Sequence, residues 1–154
     1  TDVAAYLRRR LPSKGRKVEI LEQLEEGLPP VWTERELLAW TVENLLKNAA
    51  DAILKGKEGS RIALRTTRGN PDGVRIVVED DGPGIPESIQ NRIFEPGFST
   101  KPRGWGLGLA LARRIVEDYH GGRLRLLRST PGVRTVFAVD LPEGSPQTGR
   151  RRPE

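Results

Sequence analysis

The chain has 154 residues, no cysteine and one histidine, and its 26 Lys and Arg against 21 Asp and Glu give a formal net charge of +5. This length suits one domain with a sizeable core. The absence of cysteine excludes disulfides and thiolate metal sites and fits a reducing compartment, and a single histidine argues against a structural zinc site. No apolar run approaches the roughly 20 residues of a membrane span, and no signal peptide is visible.

Much of the positive charge is concentrated near the two ends of the chain, in arginines 8–10 and 150–152. A basic domain can bind nucleic acid, but aromatic interleaving and any nucleic-acid motif are lacking, so we expect no nucleic-acid partner. A basic surface also suits a small polyanionic ligand. Because the chain begins with Thr1 rather than Met, we expect it to be a piece of a longer protein.

The first half of the chain predicts two helices and a strand. Residues 2–11 have apolar side chains at helical spacing, and the partial alternation of 18–24 predicts a strand. Thr33 and Glu36 form a capping box, which predicts that a long helix over 33–55 starts there. Positions at helical spacing form its predicted buried stripe: Leu38, Val42, Leu45, Ala49, Ala52 and Ile53.

The second half predicts two hairpins separated by a helix. The strands are predicted over four segments, 62–67, 74–79, 123–128 and 133–141, with turn residues at 70–73 and 129–132. Residues 107–119 predict a helix that ends before Gly121.

The sum of these elements is an α+β fold, a two-layer sandwich with a mixed, mostly antiparallel sheet and helices on one face. We expect one domain over 1–142, in which residues 1–15 are a helix or linker. A polar tail over 143–154 is expected to be disordered.

Two asparagines in the middle of the long helix require a reason, because asparagine is a poor helix former. Asn44, Asn48 and Asp51 fall on one stripe beside the apolar one. They are either solvated side chains or a source of amide oxygen for a hard cation such as Mg²⁺, which takes few protein ligands.

Two glycine clusters follow the predicted strand that ends near Asp80. The first is Asp80-Asp81-Gly82-Pro83-Gly84, and the second, over 104–109, precedes a helix. Glycines between a strand and a helix let the backbone approach a ligand, a helix start offers N–H groups to anions, and a carboxylate accepts hydrogen bonds from a base or sugar. Either cluster alone is more typical of a surface turn, but both in order, together with the asparagine helix, favour a binding site.

The order of these motifs resembles the ATPases and kinases of the GHKL superfamily. Residues 43–52 are similar to its N box, 80–84 to its first glycine box, 94–98 to its F box and 104–109 to its second glycine box. The sequences of three segments, 94–101, 119–122 and 132–142, resemble most closely the ATP-binding catalytic domain of sensor histidine kinases. The likeness covers about residues 7–142 and implies that fold and Mg²⁺·ATP as the ligand.

The resemblance also implies roles for individual residues. Asn48 would bind Mg²⁺, Asp80 would accept a hydrogen bond from the adenine amino group, and Asn44, Asn48 and Lys101 would form the catalytic set. Phe94 and Phe98 would pack the base of a lid. The implied nucleotide contacts are Asn48, Asp51, Asp80, Gly82, Gly84, Ile85, Phe94, Lys101, Arg103, Gly104, Trp105, Gly106, Leu107, Gly108, Leu109 and Thr135.

One departure from the superfamily concerns hydrolysis. In the chaperone, gyrase and mismatch-repair relatives a glutamate four residues before the Mg²⁺-binding asparagine activates water, and here that position is Asn44. Glu43 is one residue away, which is about 100° around a helix, so its carboxylate should point away from the water-activating position. Without a placed base, hydrolysis loses roughly 10²–10⁴-fold, which favours a kinase over an ATPase.

Other departures leave alternatives open. Asp51 stands where many relatives have a cation, so Lys101 and Arg103 either face the phosphates or are ordinary loop charges. Trp105 either covers the nucleotide or lies exposed. His120 is more typical of a helix end in this family than of a phosphorylated histidine.

The resemblance implies that the acceptor histidine lies on a dimerisation domain of the same protein, outside this chain, and that a response regulator then takes the phosphate. We expect this domain to be cytoplasmic, without direct membrane contact and monomeric in isolation. The alternative functions are a nucleotide-gated protein-binding module, such as a degenerate kinase or an anti-sigma-type switch, and a stand-alone ATPase.

Overall fold

The computed structural model describes residues 18–31, 33–56, 59–69, 72–98, 108–130 and 133–144. The predicted helix over 2–11 and nearly all of the predicted tail lie outside these residues. Five strands form one sheet: β1 Glu19–Leu24, β2 Arg61–Arg68, β3 Val74–Asp80, β4 Arg123–Thr130 and β5 Arg134–Leu141. The strand order is β1-β2-β3-β5-β4, in which β1 and β2 are parallel and the other neighbours antiparallel.

The helices are α1 Arg35–Gly56, a 3-10 turn Glu87–Arg92, and α2 Gly108–Arg114, which continues as a π-helical turn Ile115–Tyr119. No helix in the described part of the chain is long and apolar enough to cross a membrane. The predicted α+β sandwich, with its mixed and mostly antiparallel sheet, is confirmed.

The core lies between α1, α2 and one face of the sheet. From the predicted stripe of α1, Val42, Leu45, Ala49 and Ile53 are buried, whereas Leu38 and Ala52 are half-buried. Every second residue of β3, from Val74 through Ile76 and Val78 to Asp80, is also buried. Asp80 is therefore a carboxylate at the end of an otherwise apolar row.

The other sheet face carries arginines that share carboxylates. Asp140 accepts from Arg75 at 2.6 Å and from Arg125 at 3.2 Å, and Glu79 accepts from Arg65 at 3.3 Å. These side chains alternate with the core residues of their strands, so this charge lies on the face away from the core.

Most predicted elements have at least one boundary that is wrong by one or two residues, and for two of them the structure gives the reason. Helix α1 begins at Arg35, because Leu38 N–H donates to the Glu34 carbonyl at 2.9 Å, so the helix starts one residue later than a Thr33 cap predicts. Strand β4 extends to Thr130, because a bulge between Leu126 and Arg128 adds one residue to it.

The predicted helix over 107–119 is observed from Gly108, with its last turn widened to a π-helix. Gly121 ends it with φ of 66°, and Gly122 N–H donates to the Val116 carbonyl at 2.9 Å. Gly121 thus occupies the left-handed position that terminates a helix, as the sequence predicts.

Candidate functional site

Asp80 is a nearly buried carboxylate at the end of β3, with 6% of its surface exposed. Burial raises the pKa of this carboxyl to about 6, and the charges of Asp81 and Glu79 act in the same direction. A hydrogen bond from Gly82 N–H to Oδ1, at 2.9 Å, opposes the rise. The group is thus an acceptor kept out of water, which is costly unless a ligand donates to it.

The glycines beside Asp80 are required by space and by backbone conformation. A Cβ at Gly82 would lie 2.9 Å from Asp80 Oδ1 and 3.2 Å from Ile53 Cγ1, so a side chain there would displace either the carboxylate or α1. Gly84 has φ of 84°, a conformation that favours glycine. Gly82 therefore keeps the chain close to α1 and to the carboxylate, and Gly84 lets the chain turn directly after it.

The neighbouring Asp81 has a structural role. Its Oδ1 accepts from the backbone N–H groups of Ser60 and Arg61, at 2.8 and 2.9 Å. These bonds fasten the start of β2 to the end of β3. Asp81 therefore joins β2 to β3, whereas Asp80 is the acid that lies buried at the site.

Thr135 lies directly across from Asp80 on β5 and is 3% exposed. Its Oγ1 is 2.9 Å from Ser129 Oγ on β4, and Ser129 Oγ accepts from Ile85 N–H at 2.7 Å. Ile85 and Thr135 were both expected at the site from the sequence, whereas Ser129 was expected in a turn. No sequence signal identifies Ser129, because only the bulge in β4 brings it opposite Thr135.

Asn44 and Asn48 form a side-chain pair on α1. Asn48 Nδ2 lies 3.4 Å from Asn44 Oδ1, and both residues are half-buried. The start of α2 lies against Asn44, since a Cβ at Gly108 would lie 3.0 Å from Asn44 Nδ2. Asp51, one turn further along α1, is exposed.

Helix α1 connects the two groups of candidate residues. Gly82 approaches Ile53, near the C-terminal part of α1, and Gly108 approaches Asn44. At 1.5 Å per residue, the helix separates these two positions by about 13 Å. An elongated ligand could thus extend along α1 from the carboxylate of Asp80 to the asparagine pair.

Phe94 is fixed by contacts with its neighbours. Its ring meets Phe137 edge-on, with 6.2 Å between ring centroids, and the Arg113 guanidinium lies 4.5 Å from its centroid. Phe98 has Arg92 at 4.7 Å from its ring. Phe94 thus ties the F box to β5 and α2, while its expected contact with nucleotide stays a prediction.

The other expected site residues divide into two groups. Leu109 is half-buried at the start of α2 and packs against the core. The remaining expected residues fall outside the part of the chain that the structure describes: Lys101, Arg103, Gly104, Trp105, Gly106 and Leu107.

Replacing Gly108 with alanine should weaken ATP binding by roughly three- to tenfold, because the added Cβ displaces the Asn44 amide. Adenosine binding should not change, since Asp80 lies at the other end of α1. The gain in helix propensity is up to about 1 kcal/mol, so the variant should remain folded. Calorimetric titration with Mg²⁺·ATP and with adenosine checks this, and equal losses for both ligands would contradict it.

The comparisons with known proteins agree with this geometry. Residues 33–145 match the family model described as histidine kinase-, DNA gyrase B-, and HSP90-like ATPase. The histidine-protein kinase AtoS of Escherichia coli is 39% identical over 127 residues, covering 82% of this chain and 20% of AtoS. The sensory histidine kinase/phosphatase NtrB of Rhodobacter capsulatus is 39% identical over 140 residues, covering 83% of this chain and 38% of NtrB.

Among solved structures, the catalytic domain of histidine kinase ThkA superposes with a TM-score of 0.72 at 27% identity, over 95% of this chain and 90% of that one. The chain spans only 20% and 38% of AtoS and NtrB. The family match and the superposition cover the carboxylate, the glycines and the asparagine helix together. The chain therefore belongs to the histidine kinase-, DNA gyrase B- and HSP90-like ATPase family, as an ATP-binding catalytic domain of the histidine kinase type.

Proposed function

We propose that this chain binds Mg²⁺·ATP and transfers the γ-phosphoryl group to a histidine on a dimerisation domain of the same protein, outside this chain. A response regulator would then accept the phosphate, and the reaction would take place in the cytoplasm. The 39% sequence identity with AtoS and with NtrB supports this proposal, as does the geometry around α1.

The observation that carries the external acceptor in this proposal is the state of His120, which is the only histidine of the chain. It is completely buried, its Nε2 accepts from Glu34 N–H at 2.9 Å, and its Nδ1 lies 2.9 Å from the Ile115 carbonyl. Neither ring nitrogen can attack a phosphorus atom without unfolding the local structure. The contacts of His120 therefore support an acceptor histidine outside this chain.

Base recognition in this proposal depends on Asp80 and Thr135. With a pKa of about 6, the Asp80 carboxyl is mostly ionised at pH 7 and accepts from the exocyclic amino group of adenine. Guanine has a carbonyl oxygen at the equivalent position, which the carboxylate would repel. The site should consequently select ATP over GTP.

The described residues fit a magnesium ion that is shared with phosphates. They contain no group of three or more His, Cys, Asp or Glu side chains placed to hold a metal ion alone. Asn48, whose amide nitrogen approaches Asn44, would supply an amide oxygen, which is a suitable Mg²⁺ ligand. When bound, the ion neutralises charge on the phosphates.

The asparagine pair favours transfer over hydrolysis. Asn44 occupies the position from which a glutamate would activate water, and an amide cannot act as a base. The Asn44 amide is held between Asn48 and Gly108. In phosphoryl transfer, this chain would position the nucleotide and neutralise its charge.

The test is phosphorylation of the histidine-bearing dimerisation domain with γ-labelled ATP, mixed with this domain. Phosphate that is labile in acid and stable in alkali should appear on the dimerisation domain. Replacing Asn48 with alanine should reduce the rate at least 100-fold, because the metal ligand is lost. Asn91→Ala, on the exposed 3-10 turn, is the matched control and should transfer normally.

Other outcomes would overturn the proposal. ATP binding without transfer, to a dimerisation domain that full-length kinase does phosphorylate, would indicate a nucleotide-gated binding module. Steady phosphate release by the isolated domain would instead indicate an ATPase.

A further inference from the structure

A row of polar side chains crosses three strands at the base-reading end of the site. In register, Asp80 on β3 lies opposite Thr135 on β5, and Thr135 lies opposite Ser129 on β4. Side chains that are opposite each other on one sheet face are about 5 Å apart, close enough to act on one small ligand. The role of Ser129 in this row rests on the proposed binding of ATP.

One hydrogen bond of this row has a fixed direction. Ser129 Oγ accepts from Ile85 N–H at 2.7 Å, since a backbone N–H can only donate. Among the described residues, the Thr135 hydroxyl oxygen, at 2.9 Å, is the acceptor within reach of the Ser129 hydroxyl proton. A hydroxyl that already accepts a hydrogen bond is polarised and donates more strongly. A serine oxygen has two lone pairs, so Ser129 can act as donor or acceptor towards Thr135; with Ser129 as the donor, Thr135 accepts.

This direction leaves the Thr135 hydroxyl proton for a ligand. Thr135 is 3% exposed, and among the described residues its hydroxyl has Ser129 as its hydrogen-bond partner. The structure shows no hydrogen bond between Thr135 and the Asp80 carboxylate, although the two are cross-strand neighbours. Asp80 thus presents an acceptor and Thr135, beside it, presents a donor.

We propose that Ser129 is a positioning residue for base selection, because it holds Thr135 as a hydrogen-bond donor. Adenine has a donor, its exocyclic amino group, next to an acceptor, the ring nitrogen N1. The acceptor of Asp80 and the donor of Thr135 match that pair, and guanine presents the opposite pair. A single water that accepts from the Thr135 hydroxyl and donates to the ring nitrogen N1 would make the same distinction between the bases.

The test compares ATP with 1-deaza-ATP, in which a C–H group replaces the ring nitrogen N1. Wild-type protein should bind ATP roughly tenfold more tightly than 1-deaza-ATP, the effect of about one hydrogen bond. In Ser129→Ala the Thr135 hydroxyl is free to turn, so the ratio should fall to about two- or threefold. Ser129→Thr retains the hydroxyl and should restore the ratio, while 7-deaza-ATP should bind all three proteins with unchanged relative affinity.

The comparison of ratios separates positioning from a merely structural role. If Ser129 only anchors Ile85, its loss should weaken ATP and 1-deaza-ATP equally, and an unchanged ratio would overturn the inference. Should Ser129→Ala fail to fold, Ser129→Cys replaces the hydroxyl by a weak donor of similar shape and should give an intermediate ratio. A wild-type protein that binds no ATP would overturn the proposed function together with this inference, whereas normal ATP binding with an unchanged ratio overturns the inference alone.

Discussion

Replacing Asp80 with asparagine should weaken ATP binding by roughly 10- to 100-fold, because a hydrogen bond to a charged group contributes about 1.5–3 kcal/mol. The asparagine oxygen can still accept from Gly82 N–H, so the loop should keep its conformation. The loss of ATP affinity then measures the hydrogen bond from the adenine amino group to Asp80. Calorimetry on wild type and variant checks this, and an unchanged affinity would contradict the proposed role of Asp80.

The same substitution should stabilise the folded protein above pH 6. Burial raises the Asp80 pKa from 3.8 to about 6, so the folded state binds the proton more tightly than the unfolded state. Stability contributed by the protonated form is present below about pH 4 and is lost as the pH rises to about 6, by roughly 1–3 kcal/mol. Asparagine does not ionise and avoids this loss.

Urea unfolding between pH 4 and pH 8 measures this effect. The two unfolding free energies should be similar at pH 4 and diverge up to pH 6, with the variant more stable. Asp72→Asn is the control, because this carboxylate lies exposed in the turn at the opposite end of β3. A variant that loses both ATP binding and stability would show that the carboxylate supports the fold instead.

Replacing His120 with alanine should lower the free energy of unfolding by about 3–5 kcal/mol. The ring is completely buried, and Nε2 accepts from Glu34 N–H, so Nδ1 carries the proton and donates to the Ile115 carbonyl. Alanine would leave a cavity and two backbone groups without their hydrogen bonds. The ring thus fastens the start of α1 to the π-helical turn after α2.

Two further measurements separate the causes of this loss. His120→Phe fills the cavity without restoring the hydrogen bonds, so its unfolding free energy in urea should lie between those of wild type and His120→Ala. At a temperature where the alanine variant is folded, its ATP affinity should remain within about threefold of wild type, since the ring has no part in the site. A large loss of affinity in the folded variant would place His120 in the chemistry.

The sequence determined the types and the order of the elements. Alternation, capping residues and turn glycines act over a few residues, so they predicted the sandwich without knowledge of packing, whereas the four boxes came from the resemblance to the GHKL superfamily. The same local rules misplaced the start of α1 and the end of β4, because the Glu34–His120 contact and the β4 bulge depend on the assembled fold.

Only the tertiary structure decided how the site is assembled. Gly108 reaches Asn44, and Ile85 reaches Ser129, although these partners are far apart in the chain. Without the bulge, Arg128 rather than Ser129 would lie opposite Thr135, since one added residue shifts the pairing by one position. Register and packing are set by contacts between distant segments, and no local propensity encodes them.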